Sequence, residues 1–501
     1  MKILFVGPHP FRGGGVAYYQ KALAKAFYSR GNEVFILAPV TQFFGTKDSY
    51  IKRAENTDFK YAKVYELINN KLYYFRSPEP ILDCESSKEE QLFKEFLKKI
   101  NPDVIHFHAA RPASTIRISK EFGIPVIVSL HDYWFLCNTG FLCRWNNEVC
   151  EGPNNGVNCA RYCDVHKVPI YGFKEKFRKL LPQNLINVIK YIRDEGLSHF
   201  INKQSYVENL LNNYKNKEIL QDKEAKPANI EKWNFRINFM REMLNQYADL
   251  IIAVSNGSKR IFIQNDIDSQ KIKMLHSGFE FADNFFSFTK KKKDFINFAY
   301  IGPIWREKGL HILLKAFQKM GKVKGCNLYV YGKISMGNYG HIMKRLIKKM
   351  GMPNIIFKGE FNYGDLPSIY EEIDVQIIPP IIPDTSPRTV WEALSSGTPT
   401  IASNTGGIPD FIKDGVNGLL FEAGNPDDLA EKIKRIIDEP DLIHKLRQGI
   451  KKLKTIEEHA DELLKIYESL LNNNMKSMRE LMENTCKCSE ETEFNLKESE
   501  F

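Results

Sequence analysis

The stretch from Pro383 to Phe421, PDTSPRTVWEALSSGTPTIASNTGGIPDFIKDGVNGLLF, carries the pattern that decides the fold of this chain. Two carboxylates, Asp384 and Glu392, are separated by seven residues, and the turn between them leads into a helical pattern, TVWEAL. The first turn of a helix exposes backbone N–H groups, which bind anions such as phosphate. A carboxylate on a following turn accepts hydrogen bonds from neighbouring hydroxyls. The pattern therefore predicts a nucleotide-sugar site.

The same stretch resembles the E-x7-E region of retaining glycosyltransferases of family 4, which have the GT-B fold. Asp384 stands where the family has its first Glu, and Glu392 stands at the second. The resemblance implies an α/β architecture in which two doubly wound, Rossmann-like domains face each other across a cleft. It also implies that Glu392 holds the ribose hydroxyls and that Asp384 orients the sugar ring. Phosphate would bind the backbone amides near Arg388, Thr389 and Val390.

Short apolar segments alternate with helical patterns along most of the sequence. Buried apolar strands in such an alternation predict a parallel sheet with helices on both faces. The alternation begins at the amino terminus and begins again near residue 298, so we expect two such sheets. The predicted strands are Lys2–Val6, Glu33–Ala38, Val104–His108, Val126–Leu130, Leu250–Val254, Phe298–Ile301, Leu328–Tyr331, Ile355–Gly359, Val375–Ile378 and Thr400–Ala402.

The domain boundaries follow from this alternation and its interruptions. A lysine run between the two sets of strands is typical of a linker, and the last residues lose their periodicity and end acidic. The predicted units are an acceptor-side domain (1–280) with a cysteine-rich loop (137–166) and a helical insertion (164–232), a nucleotide-sugar-binding domain (281–455), a crossover helix (456–472) and a flexible tail (473–501).

Composition narrows the class of protein and its partners. The 501 residues are 43% hydrophobic and 26% charged, as in a soluble globular protein, and the net charge is +10. A modest positive charge suits anionic partners such as nucleotide diphosphates or an anionic membrane. No motif supports nucleic acid. No secretory signal or span of about 20 apolar residues is visible, so we expect a cytoplasmic protein, with the basic amphipathic pattern FKEKFRKLLPQNLINVIKYI packed on its own domain or lying peripherally on the inner membrane face.

The first domain carries two motifs at predicted strand ends. Gly14 and Gly15 lie between a strand and a helix, where glycine lets backbone approach a phosphate. His106 and His108 come at the carboxyl end of a strand, the edge at which open α/β sheets bind ligands. The resemblance implies that Gly14 and Gly15 lie against the donor diphosphate and the acceptor. It also implies that His108 reaches the donor sugar, whereas a structural histidine is the alternative.

The segment that follows the next strand, SLHDYWFLC, resembles a polysaccharide-building subgroup of the family. This implies that His131, Asp132 and Tyr133 face the acceptor side of the cleft. A dense group of thiols comes next, as expected of a structural zinc or iron–sulfur site or, alternatively, of free or redox-coupled cysteines. The candidate ligands are Cys143, Cys150, Cys159 and Cys163.

The second domain begins with a segment, FAYIGPIWREKGLHILLKAF, in which the family has Gly-Arg and then Lys-Gly. Lys308 matches the family's lysine, which neutralises the leaving diphosphate, but Pro303 occupies the arginine position. Arg306 is the candidate replacement. The remaining donor-side residues that the resemblance implies lie at later strand ends, with the base beside the last three. They are Gly332, Gly359, Glu360 and Phe361.

These residues together imply a retaining glycosyltransferase that moves a sugar, of the hexosyl type, from a nucleotide diphosphate sugar to a saccharide or lipid-linked saccharide in cell-surface polysaccharide synthesis. No cofactor is expected for catalysis. Two alternatives stay open, a nucleotide-sugar epimerase of the same fold and a degenerate, non-catalytic GT-B scaffold. The scaffold is favoured by Asp384 and Pro303, which replace a Glu and an Arg of the family.

Overall fold

The computed structural model describes most of the chain. The predicted helical insertion, apart from its last seven residues, and the tail after residue 473 lie outside the described residues. The described ranges are 1–12, 14–41, 48–55, 59–69, 81–144, 148–163, 226–282, 295–321, 324–334, 338–439 and 441–473.

The first half forms an eight-stranded sheet with the strand order β3-β4-β2-β1-β5-β6-β7-β8. All neighbouring strands are parallel except β3, which pairs antiparallel with β4 at the edge. The central strands are apolar and buried because helices cover both faces. The strands are β1 (Lys2–Val6), β2 (Glu33–Thr41), β3 (Tyr50–Arg53), β4 (Lys63–Asn69), β5 (Val104–Phe107), β6 (Val126–Leu130), β7 (Leu250–Ala253) and β8 (Ile272–Met274).

The second half forms a six-stranded sheet, all parallel, with the order β11-β10-β9-β12-β13-β14. In both sheets the first strand is central and the order reverses beside it, which opens a crevice at the carboxyl ends of the strands. The strands are β9 (Ile296–Ile301), β10 (Cys326–Tyr331), β11 (Ile355–Gly359), β12 (Val375–Ile378), β13 (Thr400–Ser403) and β14 (Gly418–Phe421).

Helices connect the strands, and their apolar faces pack on the sheets. Short 3₁₀ turns cover Arg306–Lys308 and Tyr363–Asp365, and Met243–Tyr247 is a π-helical turn. The helices are α1 (Gly15–Tyr28), α2 (Ile81–Cys84), α3 (Ser87–Ile100), α4 (Thr115–Glu121), α5 (Val157–Tyr162), α6 (Pro227–Glu242), α7 (Asn256–Gln264), α8 (Leu310–Met320), α9 (Asn338–Met350), α10 (Leu366–Glu372), α11 (Arg388–Ser395), α12 (Ile408–Phe411), α13 (Pro426–Asp438), α14 (Leu442–Gln448) and α15 (456–473).

The last helix, α15, returns to the first sheet. Its Leu463 and Tyr467 are buried in the same apolar cluster as Phe5 of β1 and Phe27 of α1. The chain therefore crosses from the second sheet back to the first, and this crossing holds the two carboxyl edges opposite each other. Within the described residues, none of the helices has the length and apolar content needed to cross a bilayer.

Candidate active site between the two domains

A cavity of about 410 Å³ lies between the carboxyl edges of the two sheets. Pockets that bind small molecules have volumes of roughly 300–1,000 Å³. Both domains contribute to the walls, and so do seven of the residues predicted from the sequence. These are Gly14, Gly15, His131, Lys308, Asp384, Arg388 and Thr389.

A lysine and a carboxylate meet on the wall formed by the second domain. The Lys308 ammonium donates a hydrogen bond to the Asp384 carboxylate, which follows strand β12. Gly309 makes this approach feasible, because its φ is 75° and an added Cβ would lie 1.7 Å from the Pro379 carbonyl oxygen. A side chain there would push the Lys308 turn away from the strand end. The pair presents both a cation and an anion to the cavity.

Helix α11 begins at the cavity with Arg388. Its guanidinium donates two hydrogen bonds to Glu280, at 3.2 and 2.7 Å, and a third to the Tyr363 hydroxyl at 2.7 Å. Burial opposes the charge, but the hydrogen bonds to Glu280 outweigh it and hold the Arg388 pKa above its ordinary value. The ring of Tyr18, from the first domain, stacks on that of Tyr363 at 5.2 Å, next to the guanidinium. Arg388 is thus a fixed, permanent cation where the domains meet.

Glu392 lies one turn further along α11 and is nearly completely buried. Glu392 does not line the cavity, and its carboxylate instead contacts the side chains of Arg388 and Tyr363. The Tyr363 hydroxyl donates to Glu392 Oε1 at 3.3 Å, and Arg388 Nε is 3.8 Å from the same oxygen. Burial raises the Glu392 pKa to about 7, although Arg388 and Tyr363 oppose the shift. The carboxyl group therefore changes charge near neutral pH.

Histidines form the opposite wall. His131, at the end of β6, lines the cavity, and His108 is buried behind it with Nδ1 3.0 Å from His131 Nε2. Burial lowers the His131 pKa to about 4 and that of His108 well below its ordinary value, so both rings are neutral at pH 7. His106 lies deeper, 2.6 Å from the Tyr467 hydroxyl and 2.7 Å from Ser129 Oγ. Of the three predicted histidines, His131 lines the cavity, and His106 and His108 lie behind it.

Asp132 and Tyr133, the other residues predicted on the acceptor side, do not line the cavity. Asp132 Oδ1 accepts a hydrogen bond from the Trp134 N–H at 2.8 Å, which stabilises the turn after β6. Tyr133 is buried, and its ring stacks on Phe262 of α7 at 5.8 Å. Both positions therefore support the loop that carries His131.

Several predicted donor-side residues also lie outside the cavity lining. The Gly332 N–H donates to the Gly359 carbonyl at 2.7 Å, Glu360 pairs with Lys333 at 2.7 Å, and the Phe361 ring lies 6.3 Å from that of Tyr331. They follow β10 and β11 beside the 3₁₀ turn that carries Tyr363. The residues outside the lining are Arg306, Gly332, Gly359, Glu360, Phe361, Val390 and Glu392.

The geometry of the cysteine-rich loop gives no support to the predicted metal site at Cys143, Cys150, Cys159 and Cys163. Within the described ranges, no group of three or more His, Cys, Asp or Glu side chains is arranged to hold a metal ion. Burial raises the pKa of the Cys159 thiol, and the neighbouring Cys137 and Cys150 thiols raise it further. Cys137 is thus close to Cys159 and Cys150, although it was not among the four predicted ligands.

Four residues near the cavity were not found from the sequence. Tyr363 and Glu280 hold Arg388, Tyr18 covers it from the other domain, and the exposed Trp305 lines the cavity mouth. Trp305 lies three residues before Lys308, so a tryptophan close to a predicted site lysine was a usable sequence signal. The other three depend on contacts between distant parts of the chain.

Two protein-family models match the chain. The model for Glycosyltransferase Family 4 matches residues 13–149, and that for Glycosyl transferases group 1 matches residues 281–453. Among curated proteins, an uncharacterized glycosyltransferase of Methanocaldococcus jannaschii is 28% identical over 28% of this chain and 35% of its own length. A D-inositol 3-phosphate glycosyltransferase of Corynebacterium kroppenstedtii is 30% identical over 28% of this chain and 33% of its length. The chain therefore spans about a third of these two relatives.

Solved structures support the fold over nearly the whole chain. Anabaena HepE in complex with UDP is similar with a TM-score of 0.59 and 16% identity, covering 94% of this chain and 100% of that one. Sucrose-phosphate synthase from Thermosynechococcus elongatus is similar with a TM-score of 0.59 and 16% identity, covering 94% of this chain and 100% of that one. The predicted GT-B fold, with two Rossmann-like domains facing each other across a cleft, is confirmed.

Proposed function

Since a glycosyltransferase family 4 domain and a glycosyl transferases group 1 domain face each other in the GT-B fold, we propose that the chain is a glycosyltransferase. The donor is a nucleotide diphosphate sugar, and the transfer retains the anomeric configuration. One observation carries the proposal: Lys308, Asp384 and the beginning of α11 meet Gly14, Gly15 and His131 in one cavity. Only a closed pair of domains brings these groups together.

The charged wall suits the leaving diphosphate. Lys308 and the first backbone amides of α11 bind phosphate oxygens, and Lys308 stabilises the charge that develops as the anomeric bond breaks. Lys308 is then shared between Asp384 and the phosphates, and Asp384 accepts hydrogen bonds from sugar hydroxyls. Glu392 accepts hydrogen bonds from the ribose hydroxyls after the 3.3 Å hydrogen bond from the Tyr363 hydroxyl to Glu392 breaks.

The neutral wall suits the sugar and the acceptor. His131 is uncharged at pH 7, so it does not repel a cationic centre at the anomeric carbon, and it forms hydrogen bonds with hydroxyls. The acceptor is a saccharide or lipid-linked saccharide in cell-surface polysaccharide synthesis, and the sugar moved is of the hexosyl type. HepE in complex with UDP supports a uridine donor as the first to try.

The proposal assigns no metal or organic cofactor to the transfer. Lys308 and the beginning of α11 supply positive charge at the place where a divalent cation would otherwise neutralise the diphosphate. Turnover should therefore persist in EDTA. The zinc or iron–sulfur interpretation of Cys143, Cys150, Cys159 and Cys163 stays a prediction for elemental analysis of the purified chain.

The test is a panel of UDP-, GDP- and ADP-sugars, scored for nucleotide diphosphate release with and without oligosaccharide acceptors. Release from one donor, lost in Glu392→Ala and kept in Glu439→Ala, identifies the base and the sugar. Glu439 is exposed, pairs with Arg435 and does not line the cavity, so it is a matched carboxylate control. Anomeric proton coupling in the product decides retention. An unchanged thermal unfolding midpoint with every nucleotide contradicts the proposal and favours the scaffold.

A further inference from the structure

A band of aromatic rings and lysines lies on the first domain, formed by α1, the segment before it and the segment before β4. We call it the aromatic–lysine face. Phe11 and Tyr28 are 45% and 47% exposed, high values for side chains that favour burial. The face consists of Phe11, Lys21, Lys25, Tyr28, Lys60 and Tyr61.

The rings form one continuous row. Phe11 contacts Phe59 with centroids 5.6 Å apart, Phe59 contacts Tyr61 at 5.4 Å, and Tyr61 contacts Tyr28 at 5.6 Å. Phe59 is buried beneath the row, so the rings that flank it are held at fixed positions. The row connects Phe11, which precedes α1, to Tyr28, the last residue of that helix. A rigid row of half-exposed rings at the surface is a feature of membrane interfaces.

Three ammonium groups lie among the rings. Lys21 Nζ is 4.6 Å from the Phe11 centroid, Lys25 Nζ is 5.8 Å from that of Tyr61, and Lys60 Nζ is 5.4 Å from the same ring. The three ammonium groups thus lie over the ring faces. Lys25 and Lys60 are exposed and Lys21 is half-exposed, so solvent or a partner can reach these charges.

The acidic side chains around this face are paired with other cations. Glu33 pairs with Lys63 at 2.5 Å, Glu66 with Arg12 at 2.6 Å and Glu55 with Lys52 at 3.3 Å. Over the part of the chain that the structure describes, no ion pair joins Lys21, Lys25 or Lys60 to a carboxylate. The face thus has positive charge without a partner, and an anionic partner is the complement.

We propose that the aromatic–lysine face docks the protein on an anionic phospholipid bilayer. The lysines contact lipid phosphates and the rings lie at headgroup depth, where aromatic side chains are favoured. Gly14 and Gly15 at the beginning of α1 line the cavity, so docking brings the cavity mouth to the membrane surface. An acceptor anchored in the same bilayer would be presented there. Docking itself needs no donor and is independent of turnover.

The test uses the full-length chain and extruded vesicles of phosphatidylcholine with 30% phosphatidylglycerol, compared with pure phosphatidylcholine. We expect binding to the anionic vesicles only, weakened by added salt. Replacing Lys21, Lys25 and Lys60 with Gln should weaken vesicle binding on the order of 100-fold, since each lysine near an anionic surface contributes roughly fivefold. The matched control replaces three dispersed, exposed lysines, Lys273, Lys413 and Lys434.

A second readout needs no variant and identifies the face directly. Acetylation of surface amines, followed by mass spectrometry, should show Lys21, Lys25 and Lys60 protected on anionic vesicles while Lys273 and Lys434 keep their reactivity. Equal reactivity with and without vesicles overturns the proposal, whatever the total binding. Protection by a soluble anionic polysaccharide but not by vesicles also overturns it and identifies a glycan surface. Protection at high protein concentration without lipid identifies a contact between two copies and overturns it as well.

Discussion

The two walls of the cavity present different kinds of polar group. On the second domain, Lys308 pairs with Asp384 and Arg388 pairs with Glu280, so the wall consists of charges held by opposite charges. On the first domain, His131 is backed by His108 and burial keeps both neutral at pH 7. The difference matches what each wall must bind. A diphosphate needs fixed cations, whereas sugar hydroxyls need hydrogen-bond partners that carry no charge.

Removing the cation of the charged wall should have the largest effect. In Lys308→Ala the diphosphate loses the ammonium that faces it, and Asp384 is left as an unpaired anion in the cavity. We expect kcat to fall by about 10³-fold, the size found when one preorganised donor to developing charge is removed. The measurement is steady-state turnover with the donor that the panel identifies.

The matched control for that variant is Lys319→Ala, an exposed lysine on α8 that pairs with Asp427. Its turnover should stay within twofold of the wild type. If Lys308→Ala keeps more than a tenth of the wild-type kcat, the leaving diphosphate does not lie against this wall.

The neutral, buried histidines of the first-domain wall should make the protein less stable in acid. His459, which packs behind Tyr19 of this wall, is the residue that tests this. It comes from α15, its Nε2 is 2.8 Å from the Tyr19 hydroxyl, and burial, aided by Lys454 and His131, lowers its pKa to about 3. His459 in the unfolded chain takes up a proton near pH 6.5, whereas in the folded chain it does so only near pH 3. The free energy of unfolding is therefore highest above pH 6.5 and falls as the pH is lowered toward 3. By pH 5 the loss is about 2 kcal/mol for one such histidine.

Between pH 7 and pH 5, the free energy of unfolding should decrease by about 2 kcal/mol less in His459→Gln than in the wild type. Chemical denaturation at the two pH values measures it. His444→Gln, at an exposed position on α14, is the control for the substitution itself. A variant slope equal to that of the wild type would show that His459 is not a neutral, buried member of this wall.

Glu392 lies behind the charged wall, and burial raises its pKa to about 7. Ribose hydroxyls donate to the ionised form, so donor affinity should rise with pH and gain about tenfold between pH 6 and 8. Calorimetric titration of the nucleotide sugar measures it, since a diphosphate diester does not itself titrate in that range. Glu392→Gln should bind weakly at both pH values, and a pH-dependent affinity in that variant would assign the titration to another group.

Ten of the strands in the described residues were predicted from the sequence, and β3, β4, β8 and β14 were missed. Val126–Leu130 and Val375–Ile378 have the predicted bounds because a run of apolar residues is sufficient to indicate a strand. Strand β3, YIKR, is a half-exposed antiparallel edge, and β8 has three residues, so neither shows a pattern. Edges are defined by pairing with a distant strand, which a local pattern does not contain.

The site was predicted to the level of strand ends and not of individual side chains. Two histidines end neighbouring strands, and the choice between His108 and His131 depends on the other domain, where Thr385 Oγ1 donates to the His131 carbonyl at 2.6 Å. Glu280 and Tyr363 were missed for the same reason, since they meet Arg388 from more than 20 residues away. Contacts between residues that are far apart along the chain carry no sequence signal in a single chain.

The smallest predicted effect concerns the contact that holds the two walls opposite each other. Asp410 of α12 accepts hydrogen bonds from His276 Nε2 at 2.9 Å and from the Asn256 N–H at 2.7 Å, both in the first domain and away from the cavity lining. Burial alone would raise the Asp410 pKa, but the contacts with His276 and Asn256 lower it. The carboxylate is therefore ionised in the closed arrangement and stabilises it.

In Asp410→Asn we expect closure to weaken by about 1 kcal/mol, the net value of one such hydrogen bond. The donor KM should rise about fivefold with kcat nearly unchanged, because a binding-competent state that is less populated lowers apparent affinity by that fraction. Small-angle scattering without donor should show a larger radius of gyration that returns to the wild-type value at saturation. A change in kcat with an unchanged radius would place Asp410 in the chemistry of the cavity rather than in its closure. The two walls would then work together without this contact between the domains.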